Sequence, residues 1–241
     1  MAGQEQIVQG LIHALVRDEN YMVRSVAARA LAKLDAPEAT PALLNALRDK
    51  AGFIIDFATK ALSDRKDPAA LPTLMTMLVD EDADIRRAAI SILAASNHQA
   101  AIPQIISLLD DPTPAVGHAA ATALGMLQAQ EAVPDLIAAI QSPHSDWGMC
   151  INAAQALGHL GSAQAVEAMI ELLRRRWEQV PGMNTTPPVR KNVLEALVRI
   201  GEPAVPYLLL ALKDQDVKVR HAAVEALGSI ASGEALGVDG A

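Results

Sequence analysis

Aromatic side chains are almost missing from this sequence: two Phe, two Trp and two Tyr in 241 residues, or 2%. A globular core usually draws much of its buried area from rings. Ala, Leu, Ile and Val must supply nearly all of it here, which favours thin layers of closely packed helices. Cysteine occurs once, at Cys150, which excludes an internal disulfide and fits a reducing, cytoplasmic compartment. No apolar stretch is long enough to cross a bilayer, and the opening MAGQEQIVQG lacks the charged-then-apolar build of a signal peptide. Position 2 is alanine, so the glycine needed for myristoylation is absent. Positive charge is short as well: 20 Lys and Arg against 28 Asp and Glu leave a net charge of −8. That balance argues against general affinity for nucleic acid or for anionic membranes. Disorder is excluded in turn, because 51% of the residues are hydrophobic.

What the sequence has in abundance is repetition, the property to be tested before any fold is assigned. Proline recurs at Pro41, Pro72, Pro103 and Pro134, 31 residues apart each time, and again at Pro206. Leucine recurs at Leu31, Leu62, Leu93, Leu124, Leu157, Leu197 and Leu227, with spacings of 31, 31, 31, 33, 40 and 30. Each unit reads as two helices. The first takes forms such as TPALLNAL, IPQIISLL and VPYLLLAL, with proline in the first turn, where its missing N–H costs nothing, and apolar residues at helical spacing. A polar turn follows, such as DEDAD or KDQD, and then a second helix such as IRRAAISIL or VRHAAVEALGSI. Ala27, Ala58, Ala89, Ala120, Ala153 and Ala223 share one core position there, letting neighbouring helices approach closely. Gly161, Gly201 and Gly233 fall where a left-handed terminal residue is commonly needed. A single hairpin cannot bury both its apolar faces, but seven stacked in order can. The expectation is an all-α solenoid of about seven hairpins over residues 1–232, with a disordered tail at 233–241.

Pro-x-Leu-x-x-x-Leu, then Asp, then Val-Arg-x-x-Ala-x-x-Ala-Leu resembles the HEAT-like repeat. The unit is most similar to the short variety of the phycobilisome (phycobilin) lyases, and the likeness covers roughly residues 5–232. The resemblance implies a right-handed α-α superhelix with the second helices on its concave side. It also implies a polar ladder between the Asp of the turn and the Arg opening the second helix: Asp18 with Arg24, Asp80 with Arg86, Asp214 with Arg220. An Asp near a helix start satisfies free N–H groups, and a guanidinium fork can bridge it to the next repeat. These residues are read as structural. The repeated His-Glu pairs of the iron-binding hydroxylase branch are absent, since none of the six histidines is followed by Glu.

The ladder has gaps. Ile55, Gly117 and Cys150 stand at the Arg position of repeats two, four and five, and Asn184 replaces Asp in repeat six. Repeat five carries two extra residues around SPHSDWGM, and repeat six nine around RRRWEQVPGMNTTPP. Long connections in tight repeats are where function usually resides, so the rim and concave face of repeats four to six are the candidate site. The residues singled out for binding are His118, Trp147, Ile151, Asn152, Gln155 and Trp177: an amphipathic ring, an apolar anchor and hydrogen-bonding amides suit a partner protein. Cys150 is read as a small buried filler. Arg174, Arg175 and Arg176 with Trp177 are the only dense basic cluster, either a contact for an acidic or nucleic-acid partner or a solvated helix end; the net charge favours the helix end. No catalytic residues, metal site or cofactor are assigned. The expected function is a non-catalytic, cytoplasmic scaffold or adaptor for another protein, with no membrane insertion. The resemblance implies an alternative, a phycobilin lyase subunit or phycobilisome-turnover factor that binds a bilin and works with a phycobiliprotein or a second solenoid subunit.

Overall fold

A computed structural model describes residues 2–34, 36–175 and 188–233. The chain divides into two compact units, Met1–Ile105 and Ile106–Ala241. The first contains α1 (Ala2–Arg17), α2 (Tyr21–Lys33), α3 (Thr40–Ala46), α4 (Gly52–Arg65), α5 (Leu71–Met77) and α6 (Ala83–Ala95); α7 (Ile102–Ser107) straddles the boundary. The second contains α8 (Pro114–Met126), α9 (Val133–Gln141), α10 (Trp147–His159), α11 (Val166–Arg174), α12 (Val189–Ile200), α13 (Val205–Ala211) and α14 (Val217–Ser232). The fourteen helices are those of seven hairpins, and no strand occurs among the described residues.

Both units are built in two layers. In the first, α2 packs on α4 and α4 on α6. In the second, α8, α10, α12 and α14 pack in order, while α9, α11 and α13 form the other layer. The prolines open α3, α5, α9 and α13 in their first turn, as their spacing predicts. The six recurring alanines are at most 2% exposed, and Leu31, Leu93, Leu124, Leu157 and Leu197 are fully buried, each contributing about 1.5–3 kcal/mol. Density without rings comes from backbone contact. A Cβ placed on Gly125 of α8 would lie 2.9 Å from Ala156 Cα of α10, and one on Gly158 of α10 would lie 2.9 Å from Ala196 Cα of α12.

The second helices leave their last turn in a left-handed conformation at Lys66 (φ 51°), Asn97 (58°), Gln128 (55°), Gly161 (64°) and Gly201 (74°). The glycines are expected there. Lys66, Asn97 and Gln128 occupy the same place one repeat apart, so the exit belongs to the repeat; asparagine tolerates it, whereas Lys66 and Gln128 adopt it against their preference. Lys66 is exposed, and its backbone N–H donates to Leu62 O at 3.3 Å, a bond that glycine keeps. Lys66→Gly therefore raises stability by about 0.5–1 kcal/mol, the left-handed strain it relieves outweighing the added chain entropy. A urea titration showing a lower midpoint would contradict this.

The turn ladder forms, with a different division of labour from the one expected. Arg24 Nη1 donates to the backbone carbonyls of Asp18 and Glu19, each at 3.0 Å, and Arg86 and Arg220 repeat this on Asp80 and Glu81, and on Asp214 and Gln215. The carboxylate of the same turn is occupied elsewhere: Asp18, Asp80 and Asp214 each accept from the N–H two residues on. The fork of Arg24 instead reaches the next repeat, Nε to Asp49 Oδ2 at 2.7 Å and Nη2 to Oδ1 at 3.0 Å. The Arg24 guanidinium and the Ala51 N–H hold the Asp49 carboxyl below the usual carboxylate range against the opposing effect of burial.

Candidate partner-binding face

Two of the gaps in the ladder are filled by an arginine from elsewhere in the chain, and a third is closed to any side chain. In repeat two, where Ile55 replaces Arg, Arg48 at the end of α3 pairs with Asp80 of repeat three. Gly117 admits no side chain, because a Cβ there would lie 2.8 Å from Leu109 O and 2.9 Å from Met149 Cε. In repeat five, Arg175 comes from the following hairpin and donates to the carbonyls of Ser142 (3.1 Å), Pro143 (2.9 Å) and Ser145 (3.3 Å). It replaces the guanidinium that Cys150 cannot supply, and its Nη1 lies 3.9 Å from Cys150 Sγ. Arg174 pairs with Glu171 and with Asp214 of repeat seven, and its hydrogen bond is the main cause that lowers the Asp214 pKa. This leaves Arg190, which stands at the ladder position of repeat six, free to turn to the exposed side and bridge His221 Nδ1 (2.6 Å) and Glu225 Oε2 (2.7 Å).

Arg174 and Arg175 are thus more than a solvated helix end: both bridge parts of the fold. Arg176 and Trp177, with the rest of the repeat-six insertion, lie outside the described residues, as does the tail from residue 234. Cys150 is fully buried as expected, and burial pushes its thiol up to about 11, so it is no nucleophile at neutral pH.

The exposed side of α8, α10, α12 and α14 carries a run of polar contacts from one repeat to the next. His118 Nε2 lies 2.9 Å from Asp146 Oδ1, the residue that caps α10 by accepting from Met149 N at 2.7 Å. Gly148 makes room for the imidazole, since a Cβ there would sit 2.5 Å from its Cε1. Thr122 Oγ1 donates to Asn152 Oδ1 at 3.3 Å, and Asn152 Nδ2 to Gly148 O at 2.9 Å. Gln155 Nε2 donates to Asn192 Oδ1 at 2.6 Å, and Asn192 Nδ2 to Pro188 O at 2.8 Å. At the edge of the run His159 meets Arg199, and burial first, then that guanidinium, lowers its pKa. Asp146 and Arg199 are the charged groups in these contacts between α8, α10 and α12; ion pairs gather at α12 and α14, where Lys191 meets Glu195 and Arg190 meets Glu225. On the rim beside His118, the turns of repeats four and five enclose a hollow of about 210 Å³ lined by Asp110, His118, His144, Ser145 and Asp146 among others.

His118, Asn152 and Gln155 therefore stand half-buried along one strip, each bonded to an adjacent helix or its cap, with Trp147 half-buried at its rim. Ile151 does not join them. It is only 9% exposed, on a helix packed by both α8 and α12. Asp146, Gly148 and Asn192 complete the strip and escape sequence reading, although Asp146 holds the capping place that Asn20, Asp82 and Asp216 hold in other repeats. Among the described residues, Trp147 opens a second helix whereas Tyr207 lines a groove between α11 and α13 in the other layer, so these two rings are apart. No group of three metal-binding side chains occurs among the described residues, and no described helix is long and apolar enough to cross a membrane.

Two layers of helical hairpins, bridged through their turns, define an α-solenoid. HEAT repeats match residues 8–94, 73–148, 102–181 and 183–238, and the chain belongs to that family. No curated protein matches it by sequence. Among solved structures it is similar to a Kap121p mutant, with 16% identity over 95% of this chain and 29% of that one and a TM-score of 0.67. It is also similar to YibA of E. coli, with 21% identity over 92% and 82% of the two chains and a TM-score of 0.56. The complex of CpcE and CpcF of phycocyanin lyase from Nostoc matches with 25% identity over 95% and 82%, and a TM-score of 0.44.

Proposed function

We propose that the protein is a non-catalytic scaffold or adaptor of the cytoplasm that binds another protein through the exposed side of α8, α10 and α12 and the rim beside Trp147. The observation that supports this is the row of half-buried side chains from His118 through Asn152 to Gln155, each held by a hydrogen bond to a neighbouring helix or its cap: His118 to Asp146, Asn152 to Thr122 and Gln155 to Asn192. Side chains fixed before binding lose little further freedom on association. A half-exposed indole at the edge of such a strip is the kind of group that dominates interface energetics. The buried, protonated Cys150 offers no nucleophile there.

The test compares partners captured by the native chain with those captured by a Trp147→Ala/Gln155→Arg variant, and by a Glu131→Arg control on an exposed turn. Circular dichroism checks that all three keep the same helicity. The expected result is at least one identified partner retained by the native and control chains and lost, by about tenfold or more, with the double variant. Identical partner sets for all three would count against this face.

A further inference from the structure

The two ends of the repeat array carry halves of the contact that joins repeats inside it. In the interior, Arg24 uses Nη1 on its own turn and gives Nε and Nη2 to Asp49 of the next repeat. Arg220 of the last repeat uses Nη1 in the same way on Asp214 and Gln215, but its Nε and Nη2 donate to no acceptor among the described residues. At the other end, Asp18 accepts through Oδ1 from Asn20 N, and its Oδ2 accepts from no donor among them. A donor fork and a carboxylate of matching geometry are left over, one at each end.

The helix faces match in the same register. Inside the array a glycine near the end of one second helix meets an alanine of the next: Gly125 with Ala156, and Gly158 with Ala196. The counterpart of those glycines in α14 is Gly228, where a Cβ would find nothing within 4 Å. The counterpart of those alanines in α2 is Ala30, which is half-buried. Around them lie apolar side chains that interior helices bury. Val23 and Val26 of α2 are 41% and 55% exposed, whereas Ile85 and Ala88, at the same places in α6, are buried. Val224 of α14 is 61% exposed, whereas Ala154 at its place in α10 is fully buried.

We infer that a second copy of this chain docks head to tail, the outer face of α14 in one copy meeting the outer face of α2 in the next. Arg220 then takes Asp18 as Arg24 takes Asp49, and Gly228 meets Ala30 as Gly158 meets Ala196. The contact is heterologous, so it adds copies in series instead of stopping at two. It is independent of the partner-binding strip.

Sedimentation velocity on the full chain over a concentration series tests it. The weight-average mass rises from 25.4 kDa past that of a dimer. Gly228→Phe, whose ring has open space in the folded chain, stays at the single-chain mass with unchanged circular dichroism. Arg220→Asp and Asp18→Arg each weaken association by about tenfold or more, and the double variant Asp18→Arg/Arg220→Asp recovers it. A native chain that remains at 25.4 kDa at every concentration, or assembly that Gly228→Phe leaves intact, would overturn the inference.

Discussion

Gly158→Val lowers the stability of the chain by about 3 kcal/mol, the upper end of the usual cost of overpacking. A Cβ at this position lies 2.9 Å from Ala196 Cα, 3.0 Å from its Cβ and 3.2 Å from its carbonyl oxygen. Two of these three atoms are backbone and cannot rotate away, so α10 and α12 must separate. Separation strips contact from Leu157 and Leu197, both fully buried. The control is Gly228→Val at the same register in the last hairpin, where a Cβ meets nothing; there helix propensity alone acts, and the single chain changes by about 0.5 kcal/mol or less. Equal losses in the two variants by urea titration would mean that close backbone approach is not what holds the second helices together.

Arg175→Ala costs about 2–3 kcal/mol, the expected loss for a partly buried guanidinium that donates three hydrogen bonds. It takes the guanidinium donor from the carbonyls of Ser142, Pro143 and Ser145, leaving Ser142 only the N–H of Ser145, and loosens the turn that presents Asp146 and Trp147. Thermal unfolding measures the loss. A change below about 0.5 kcal/mol would return Arg175 to the role of a solvated surface charge.

The hairpins were legible because the pattern that encodes them is local and repeated. Proline in the first turn, alanine at the closest approach of helices and leucine one turn later recur with spacings that no other fold requires. The left-handed exits were legible only where glycine marks them; Asn97 tolerates the same conformation, and Lys66 and Gln128 adopt it because packing overrides their preference. The candidate face was legible as a stripe of exposed positions, and His118, Asn152 and Gln155 lie on it. Ile151 was misjudged because counting from the Arg position fixes a place on the helix and not how closely the neighbouring helices cover it, and α10 is packed by both α8 and α12. The roles of Arg174 and Arg175 were hidden for a related reason. A run of basic residues looks the same whether it faces solvent or returns to the preceding turn, and only the three-dimensional path of α11 shows that a lost arginine at Cys150 is replaced from the next repeat.

That replacement is most directly tested by a double-mutant cycle on positions 150 and 175. Cys150→Arg puts a guanidinium back at the place where Arg24, Arg86 and Arg220 hold their own turns. In the Arg175→Ala background it should regain most of the lost stability, whereas in the native background it should destabilise, because two cations then compete for one turn. A coupling of about 1.5 kcal/mol or more of that sign is expected. Strictly additive effects would show that Arg175 does not stand in for the missing arginine and that the fifth hairpin is held by other means.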